Sequence, residues 1–183
     1  MLSLQDVGFV GVAGVTSTII YVQDVVNEQL GGGFKDTITF SQGGTLFQTG
    51  SPVIGKTVAQ VEFFFKRVGS PTGTMSFKAV TYDEDGSGTI NHTWTPANTD
   101  MSTYSTSGEW IKNTDTGNTY TVQAQDVICP YCTNASGGAS DYILIQGTSA
   151  ATANQCWTEA NSVEYWNKVC HDSAGIKLYS AAT

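Results

Sequence analysis

Two alternating runs of residues flank the turn Gly69–Gly73, and they fix the class of fold that this chain can adopt. Apolar residues recur at every second position on both sides of the turn: Val61, Phe63, Phe65, Met75, Phe77 and Ala79. A period of two places such residues on one face of a β-strand. Pro71 fixes its own φ, while Gly69 and Gly73 tolerate a positive φ, so the break between the runs is sharp. The sequence therefore predicts a β-hairpin from Val61 to Val80.

Further short segments of strand-forming residues, separated by turn residues, follow the stretch Gly31–Gly33. The candidate strands are Asp36–Ser41, Thr45–Thr49, Thr57–Val68, Thr74–Asp83, Thr89–Thr95, Glu109–Asn113, Asn118–Ala124, Asp141–Gly147, Gln155–Thr158 and Gly175–Ser180. Many short strands without α/β alternation indicate a two-sheet sandwich. A chain of 183 residues is long enough to bury one such core. We therefore predict an all-β protein, an antiparallel jelly roll or β-sandwich over residues 34–183.

The first 33 residues differ from the rest of the chain. Their apolar residues are first interleaved with glycine and then placed at helical spacing: Val7, Phe9, Val10, Val12, Val15, Ile19, Val22 and Val26. This pattern leaves both a short helix and a strand open. Gly31–Gly33 predicts a hinge, so residues 1–33 form an apolar N-terminal arm. Such an arm must be buried, either on its own sheet or in a neighbouring subunit, and the second case makes it an assembly arm.

The charge of the chain argues against nucleic-acid binding, and its hydropathy argues against a membrane-spanning helix. The chain has 8 basic and 16 acidic residues, a net charge of -8. Nucleic-acid binding requires clustered basic residues that displace phosphate counterions, and here they are scattered. Polar residues interrupt the apolar run Val7–Val26, whereas a membrane-spanning helix needs about 20 mostly apolar residues. We therefore expect no nucleic-acid partner and no membrane span.

Four cysteines lie in the C-terminal third of the chain: Cys129, Cys132, Cys156 and Cys170. The Cys129-Pro-Tyr-Cys132 spacing is that of glutaredoxin-like active sites, but their chemistry requires a helix N-terminus that lowers the thiol pKa. The residues that follow here favour a loop. Four ligands in two groups also suit zinc, although the second pair lacks the usual two-residue spacing. We predict two disulfides that crosslink the C-terminal loops, with zinc or free thiols as alternatives.

An acidic loop that begins at Asp83 is the candidate metal site. Asp83, Asp85 and Ser87 repeat the first half of an EF-hand-like calcium loop, in which glycine lets the carboxylates converge. The twelfth position, which should be a bidentate glutamate, is Trp94. The sequence therefore leaves a calcium site and an ordinary surface turn open, and apart from calcium we expect no cofactor.

Signals of catalysis are weak. The chain lacks a nucleophile-elbow serine, a His-Glu-x-x-His helix and a phosphate-binding loop, so we expect no enzyme. Glu159 and Glu164 leave a glycosidase pair as an alternative, but their spacing gives it no support. Trp157, Tyr165 and Trp166 lie in a loop-rich stretch between Cys156 and Cys170, where aromatic rings stack on sugars or pack as core. Glycans are therefore a candidate partner.

Four segments, taken in chain order, resemble a known family: Thr45-Leu-Phe-Gln48, Val61–Val68 with its Gly-Ser-Pro-Thr-Gly turn, Asp141-Tyr-Ile-Leu-Ile145 and Gly175-Ile-Lys-Leu-Tyr179. They are similar to β-sandwich domains of the choice-of-anchor R type in bacterial and archaeal surface proteins, and to structural or tail proteins of phages. The resemblance spans roughly residues 44 to 180 and implies a non-catalytic display or binding module. It does not include the acidic loop, the cysteines or the N-terminal arm.

These observations combine into one functional expectation with two alternatives. We expect a virion structural protein, capsid-decorating or tail-associated, that forms homo-oligomers and contacts other virion proteins through its arm. Met1–Asp6 lacks the basic start of a secretion signal, yet the composition is typical of a protein exposed outside the cell. A virion location accounts for both observations, because virion proteins leave the cell without a secretion signal. The alternatives are an extracellular or cell-surface adhesin or filament subunit, whose arm completes a neighbour's sheet, and a carbohydrate-binding module.

Overall fold

The computed structural model describes residues 17–23, 28–34, 42–82, 88–136, 140–148, 155–161, 165–169 and 173–181. The strands in chain order are β1 Ile19–Gln23, β2 Glu28–Phe34, β3 Gln42–Phe47, β4 Thr57–Val68, β5 Thr72–Thr81, β6 Ile90–Trp94, β7 Glu109–Lys112, β8 Tyr120–Thr121, β9 Asp126–Ser136, β10 Tyr142–Thr148, β11 Gln155–Asn161, β12 Tyr165–Val169, β13 Ser173–Ala174 and β14 Ile176–Ser180. A short 3₁₀ helix, Met101–Thr103, lies between β6 and β7. Within these ranges no helix has the length and apolarity that crossing a membrane requires. The all-β class predicted from the sequence is confirmed.

The strands form two antiparallel sheets, as expected for a β-sandwich. Strand β4 is central in the eight-stranded sheet: β14 and β10 pair with successive parts of one edge, and β7 and β8 pair with the other. Strand β1 extends this sheet beyond β14, while β2 and β13 pair with β10. The six-stranded sheet has the order β12-β11-β3-β9-β5-β6.

One core fills the space between the sheets. It contains the alternating apolar residues of β4 and β5, namely Val61, Phe63, Phe65, Met75, Phe77 and Ala79. The ring centroid of Phe77 lies 5.2 Å from that of Phe63 and 6.2 Å from that of Phe65. Full burial of one such side chain stabilises a fold by about 1.5–3 kcal/mol, so this core holds the two sheets together.

The strands around Gly69–Gly73 form as predicted, but they do not pair with each other. Strand β4 has the predicted bounds, whereas β5 lies in the other sheet. The turn therefore carries the chain from one sheet to the other, and the prediction of a β-hairpin is wrong. Apolar faces that pack across a sandwich have the same period of two as faces of paired strands, so alternation alone does not distinguish the two cases. Gly69 and Gly73 do take positive φ values, 63° and 139°.

The sequence pattern does not predict β9, which runs through the Cys129–Cys132 segment. Proline is rare in a central strand because it donates no ladder hydrogen bond. The ladder between β3 and β9 skips Gly43 and Gly44, which lie opposite Pro130 and Cys129. A Cβ atom on Gly44 would lie 2.4 Å from the Ile128 carbonyl oxygen, so glycine permits the close approach of the two strands. These glycines let a central strand accommodate the proline.

Two strands of the eight-stranded sheet come from the predicted N-terminal arm. Strand β1 pairs with β14, and β2 pairs with β10. The glycines Gly31–Gly33, predicted as a hinge, lie inside β2, whose register with β10 is irregular between Leu144 and Gln146. Glycine suits an irregular strand because it tolerates a bulge. The described part of the arm therefore packs on the protein's own sheet.

Candidate functional site

The edge strand β1 is the described part of the predicted assembly arm. Its backbone is held by β14, including a hydrogen bond from Ser180 N to Thr18 O of 2.8 Å. The Tyr21 ring contacts the core residue Phe47 edge-on, with centroids 5.8 Å apart. Ile19 and Val22, in contrast, are 53% and 39% exposed. Strand β1 thus joins the fold through β14 and the partly buried Tyr21, and it leaves two apolar side chains exposed to solvent.

The other predicted arm residues lie outside the described residues: Val7, Phe9, Val10, Val12, Val15 and Val26. Their role in assembly therefore stays a prediction. Among the described residues, the large hydrophobic side chains that are exposed are Ile19, Val22 and Ile90, and two of these three belong to β1. Single exposed apolar residues are ordinary, but a pair on one edge strand marks a contact surface.

The outer face of the eight-stranded sheet carries a second group of residues, which we call the lysine–aromatic face: Glu62, Phe64, Lys66, Trp110, Lys112, Lys177 and Tyr179. Their places follow from strand register. Glu62 on β4 lies between Lys112 on β7 and Lys177 on β14. Phe64 lies opposite Trp110. Since neighbouring strands are about 4.8 Å apart, residues at such paired positions contact one another across the sheet.

Lys177 connects the charged and aromatic parts of this face. Its Nζ atom lies 3.8 Å from Glu62 Oε2 and 3.8 Å from the centroid of the Trp110 ring. Trp110 in turn packs edge-on against Phe64, with centroids 5.4 Å apart. Burial and a hydrogen bond to the Glu62 carboxylate raise the pKa of Tyr179 to about 12, so its hydroxyl is a neutral donor. The contacts hold Lys177 in place rather than leaving it mobile.

Sequence reasoning does not find the lysine–aromatic face. The predicted hairpin would place Glu62 and Lys78 on one sheet, but Lys78 lies on the other sheet, where its Nζ is 3.4 Å from the centroid of the Tyr131 ring. The alternation of Glu62, Phe64 and Lys66 is visible in the sequence and indicates a polar outer face. No local signal shows that Trp110 and Lys177, far apart in the chain, lie beside these residues.

The two described cysteines, Cys129 and Cys132, are free thiols on opposite faces of β9. Cys132 belongs to the core between the sheets. Cys129 belongs to a small buried cluster with Leu46, Val80 and Val127 on the outer face of the six-stranded sheet. A single zinc ion cannot bind two side chains that point to opposite sides of a sheet, so the four-cysteine zinc alternative is wrong.

The environment of these thiols also excludes a thiolate nucleophile. Burial raises the pKa of Cys129 to about 12, although Lys78 acts in the other direction, and it raises the pKa of Cys132 to about 11. Both sulfurs are therefore protonated at neutral pH. Because Cys129 and Cys132 are free thiols, the prediction of two disulfides is wrong for these residues. The side chains of Cys156 and Cys170 lie outside the described residues, so a crosslink there stays a prediction.

The predicted calcium ligands Asp83, Asp85 and Ser87 lie outside the described residues. Near the ends of that loop the carboxylate of Asp126 is 1% exposed and accepts three hydrogen bonds. The donors are the Tyr120 hydroxyl at 2.8 Å, Gln123 N at 2.7 Å and Asn91 Nδ2 at 3.2 Å. Burial raises the pKa of Asp126, while these bonds oppose the rise. Asp126 thus joins strands β6, β8 and β9, and the described ranges contain no cluster of three metal-ligating side chains.

The aromatic residues Trp157, Tyr165 and Trp166 lie in paired strands. Trp157 is in β11, and the other two are in the neighbouring strand β12. Trp157 falls within the predicted strand Gln155–Thr158, whereas the prediction of a loop is wrong for Tyr165 and Trp166, because aromatic residues also favour strands. Strand β11 also pairs with β3, which attaches the β11–β12 pair to the six-stranded sheet.

Comparisons with known proteins identify no relative of this chain. No family model matches the chain, and neither a curated protein nor a solved structure matches it. The resemblance to choice-of-anchor R type and phage structural domains therefore stays a prediction.

Proposed function

We propose that the protein is a non-enzymatic structural protein of a virion, a jelly roll that decorates a capsid or belongs to a tail and forms homo-oligomers through its N-terminal arm. The observation that supports this proposal is the pair of exposed apolar residues, Ile19 and Val22, on the edge strand β1. Burying them against a neighbour removes apolar surface from water, at about 25 cal/mol per Å².

The position of β1 in the sheet supports the same proposal. An edge strand presents unpaired backbone groups, which form a template for a strand of another chain. Strand β1 is the terminal strand in the order of the eight-stranded sheet, where it pairs with β14. The residues that precede it, 1–16, include the alternating Val7–Val15 segment of the predicted arm. A neighbouring subunit that binds this edge would cover Ile19, Val22 and the arm together.

A cell-surface adhesin or filament subunit is the second candidate. The pairing of β1 with β14 favours it, because β14 is the strand that a donated β1 of a neighbour would complete. In that case β1 would leave its own sheet on assembly. In a virion protein with a docked arm, β1 stays in its own sheet.

The exposed residues of β1 provide the test. We expect the double variant I19S/V22S to weaken self-association by on the order of tenfold or more, measured by sedimentation of the purified full chain. I90S is the matched control, because Ile90 is 52% exposed on the other sheet. Circular dichroism shows whether the variants remain folded. Equal sedimentation of I19S/V22S and I90S would contradict assembly through the arm.

Chain deletion separates the two candidates. Removing residues 1–16 keeps β1, whereas removing residues 1–23 also removes it. A docked arm predicts loss of assembly in both deletions. Strand donation predicts that the shorter deletion still assembles. The longer deletion should then bind a peptide with the sequence of residues 17–23 and stay monomeric, because a free peptide completes the sheet without linking two subunits.

A further inference from the structure

The lysine–aromatic face has a charge that differs in sign from that of the whole chain. Three of the chain's 8 basic residues lie on it, Lys66, Lys112 and Lys177, against one carboxylate, Glu62. The net charge of the chain is -8, so the residues outside this face carry a net charge of -10. A basic area on an acidic protein attracts acidic surfaces and orients them during encounter.

Two of the three lysines are available to a partner. Lys177 is held by Glu62 and Trp110, with 23% of its side chain exposed. Lys112 is exposed and Lys66 is half-buried. Neither has an ion-pair partner among the described residues. Within the described part of the chain, therefore, no ion pair neutralises their ammonium groups, which lie on the same face as the rings of Phe64 and Trp110.

The lysine–aromatic face continues into the exposed apolar edge. Val22 on β1 lies opposite Lys177, and Ile19 lies opposite Tyr179. One row across the sheet is thus Val22, Lys177, Glu62 and Lys112. Aromatic and apolar groups surrounded by charges are the usual composition of a protein interface.

We propose that this face binds the acidic surface of a second copy of the same chain in a head-to-tail contact, which rests on the proposed assembly function. A second copy is favoured because the chain itself supplies the opposite charge: its acidic residues outnumber its basic ones by 16 to 8, and Asp100 and Asp115, outside the face, are exposed. The contact is heterologous, since the basic face of one copy meets a different, acidic surface of the next. Such contacts build rings or filaments rather than closed dimers.

The test reverses charge on the face while leaving β1 intact. We expect K66E/K112E to weaken self-association of the full chain by on the order of tenfold, because exposed charge pairs contribute up to about 1 kcal/mol each. We also expect wild-type self-association to weaken as salt rises, since exposed charges are screened. Single variants K112E and K56E form the matched comparison, as both lysines are exposed and Lys56 lies outside the face. K112E should weaken association and K56E should not.

The outcomes separate this inference from the proposed function. Loss of assembly in I19S/V22S with normal assembly in K112E and K66E/K112E overturns the charged contact and leaves arm-driven assembly standing. Normal assembly in all variants overturns both. A polyuronate chain is the probe for a glycan partner. If it binds the wild type and not K66E/K112E, while the two proteins self-associate equally, the face binds an acidic glycan and the self-contact is overturned.

Discussion

At the scale of single residues, Asn113 closes a gap in the eight-stranded sheet. Strand β7 ends at Lys112 and β8 begins at Tyr120, so neither pairs with residues 59–61 of β4. The buried Asn113 side chain replaces the missing strand. Its Oδ1 accepts a hydrogen bond from Val61 N at 2.6 Å, and its Nδ2 donates to Ala59 O at 3.0 Å. Buried backbone groups require such partners, so the side chain stabilises the sheet.

Asn113→Ala should therefore destabilise the protein by about 3 kcal/mol, because it leaves a buried N–H and a buried C=O without partners. Chemical denaturation monitored by tryptophan fluorescence measures the change. Asn113→Asp is expected to be at least as damaging, since a carboxylate cannot donate to Ala59 O. Thr114→Ala, at the exposed neighbouring position, is the control. A loss below about 1 kcal/mol in Asn113→Ala would show that the sheet tolerates the gap.

Prediction from the sequence succeeds for residues whose role follows from periodicity, and it fails where the role depends on the partner strand. The alternation from Val61 to Phe65 identifies the buried face of β4 correctly, because period two is a local property. The burial of Asn113 has no such signal, since asparagine is usually exposed or in a turn. The spacing of Cys129 and Cys132 also gives a wrong prediction, because it indicates a shared motif whereas the strand places the two side chains on opposite faces of the sheet.

At the scale of elements, the crossing from β4 to β5 depends on a close contact at Gly69. Its φ of 63° is strained for other residues, and a Cβ atom would lie 2.2 Å from both Asp141 Oδ1 and Ser140 O. Asp141 Oδ1 also accepts a hydrogen bond from Ser70 N at 2.7 Å. The turn is thus fastened to the residues that precede β10, and β10 pairs with the end of β4.

Gly69→Ala should destabilise the protein by about 3 kcal/mol, from the positive φ and the clash together. Gly55→Ala separates the two causes, since Gly55 has a φ of 79° but nothing within 4 Å of its Cβ position. We expect the Gly55 variant to lose about 1 kcal/mol, the cost of the φ alone. Thermal unfolding of both variants measures the difference. Equal losses would mean that Asp141 and Ser140 move away without cost.

The sequence predicts where a long strand begins and ends better than it predicts the strands with which that strand pairs. The strand Thr57–Val68 matches its prediction, because its run of strand-forming residues is long and bounded by glycine on both sides. The sheet to which each strand belongs depends on contacts far along the chain, and these leave no local pattern. The lysine–aromatic face is an example: it requires β4, β7 and β14 to be neighbours, and the prediction of a β4–β5 hairpin excludes that arrangement.

At the scale of the whole molecule, the end of the sandwich near β6 and β8 connects the two sheets through titratable groups. His92 on β6 of the six-stranded sheet lies against Trp94 and Tyr120, with centroids 4.5 and 5.4 Å away. Tyr120 belongs to β8 of the other sheet and donates its hydroxyl to Asp126. His92 Nε2 is buried and has no hydrogen-bond partner among the described residues. The contact between His92 and Tyr120, which joins the two sheets, should therefore depend on the protonation state of His92.

Stability should therefore fall as the pH drops below about 6.5, the ordinary pKa of histidine. Burial lowers the pKa of His92, although a hydrogen bond to the Asn118 backbone opposes this. Below its ordinary pKa the unfolded chain takes up a proton that folded His92 resists, so acid favours unfolding until the folded pKa is reached. The raised pKa of Asp126 acts in the opposite direction at lower pH, between 3.8 and its folded value, where the folded state binds the proton first.

His92→Phe isolates the histidine contribution, because it keeps a ring between Trp94 and Tyr120 and removes the titrating group. We expect the melting temperature of the wild type to fall more than that of His92→Phe between about pH 7 and pH 5. Any effect of His171 is common to both proteins and cancels in the comparison. Protonation of Asp126 is also common to the two proteins, so it should change both curves equally and leave their difference unchanged. Parallel pH curves for the two proteins would show that protonation of His92 does not oppose folding.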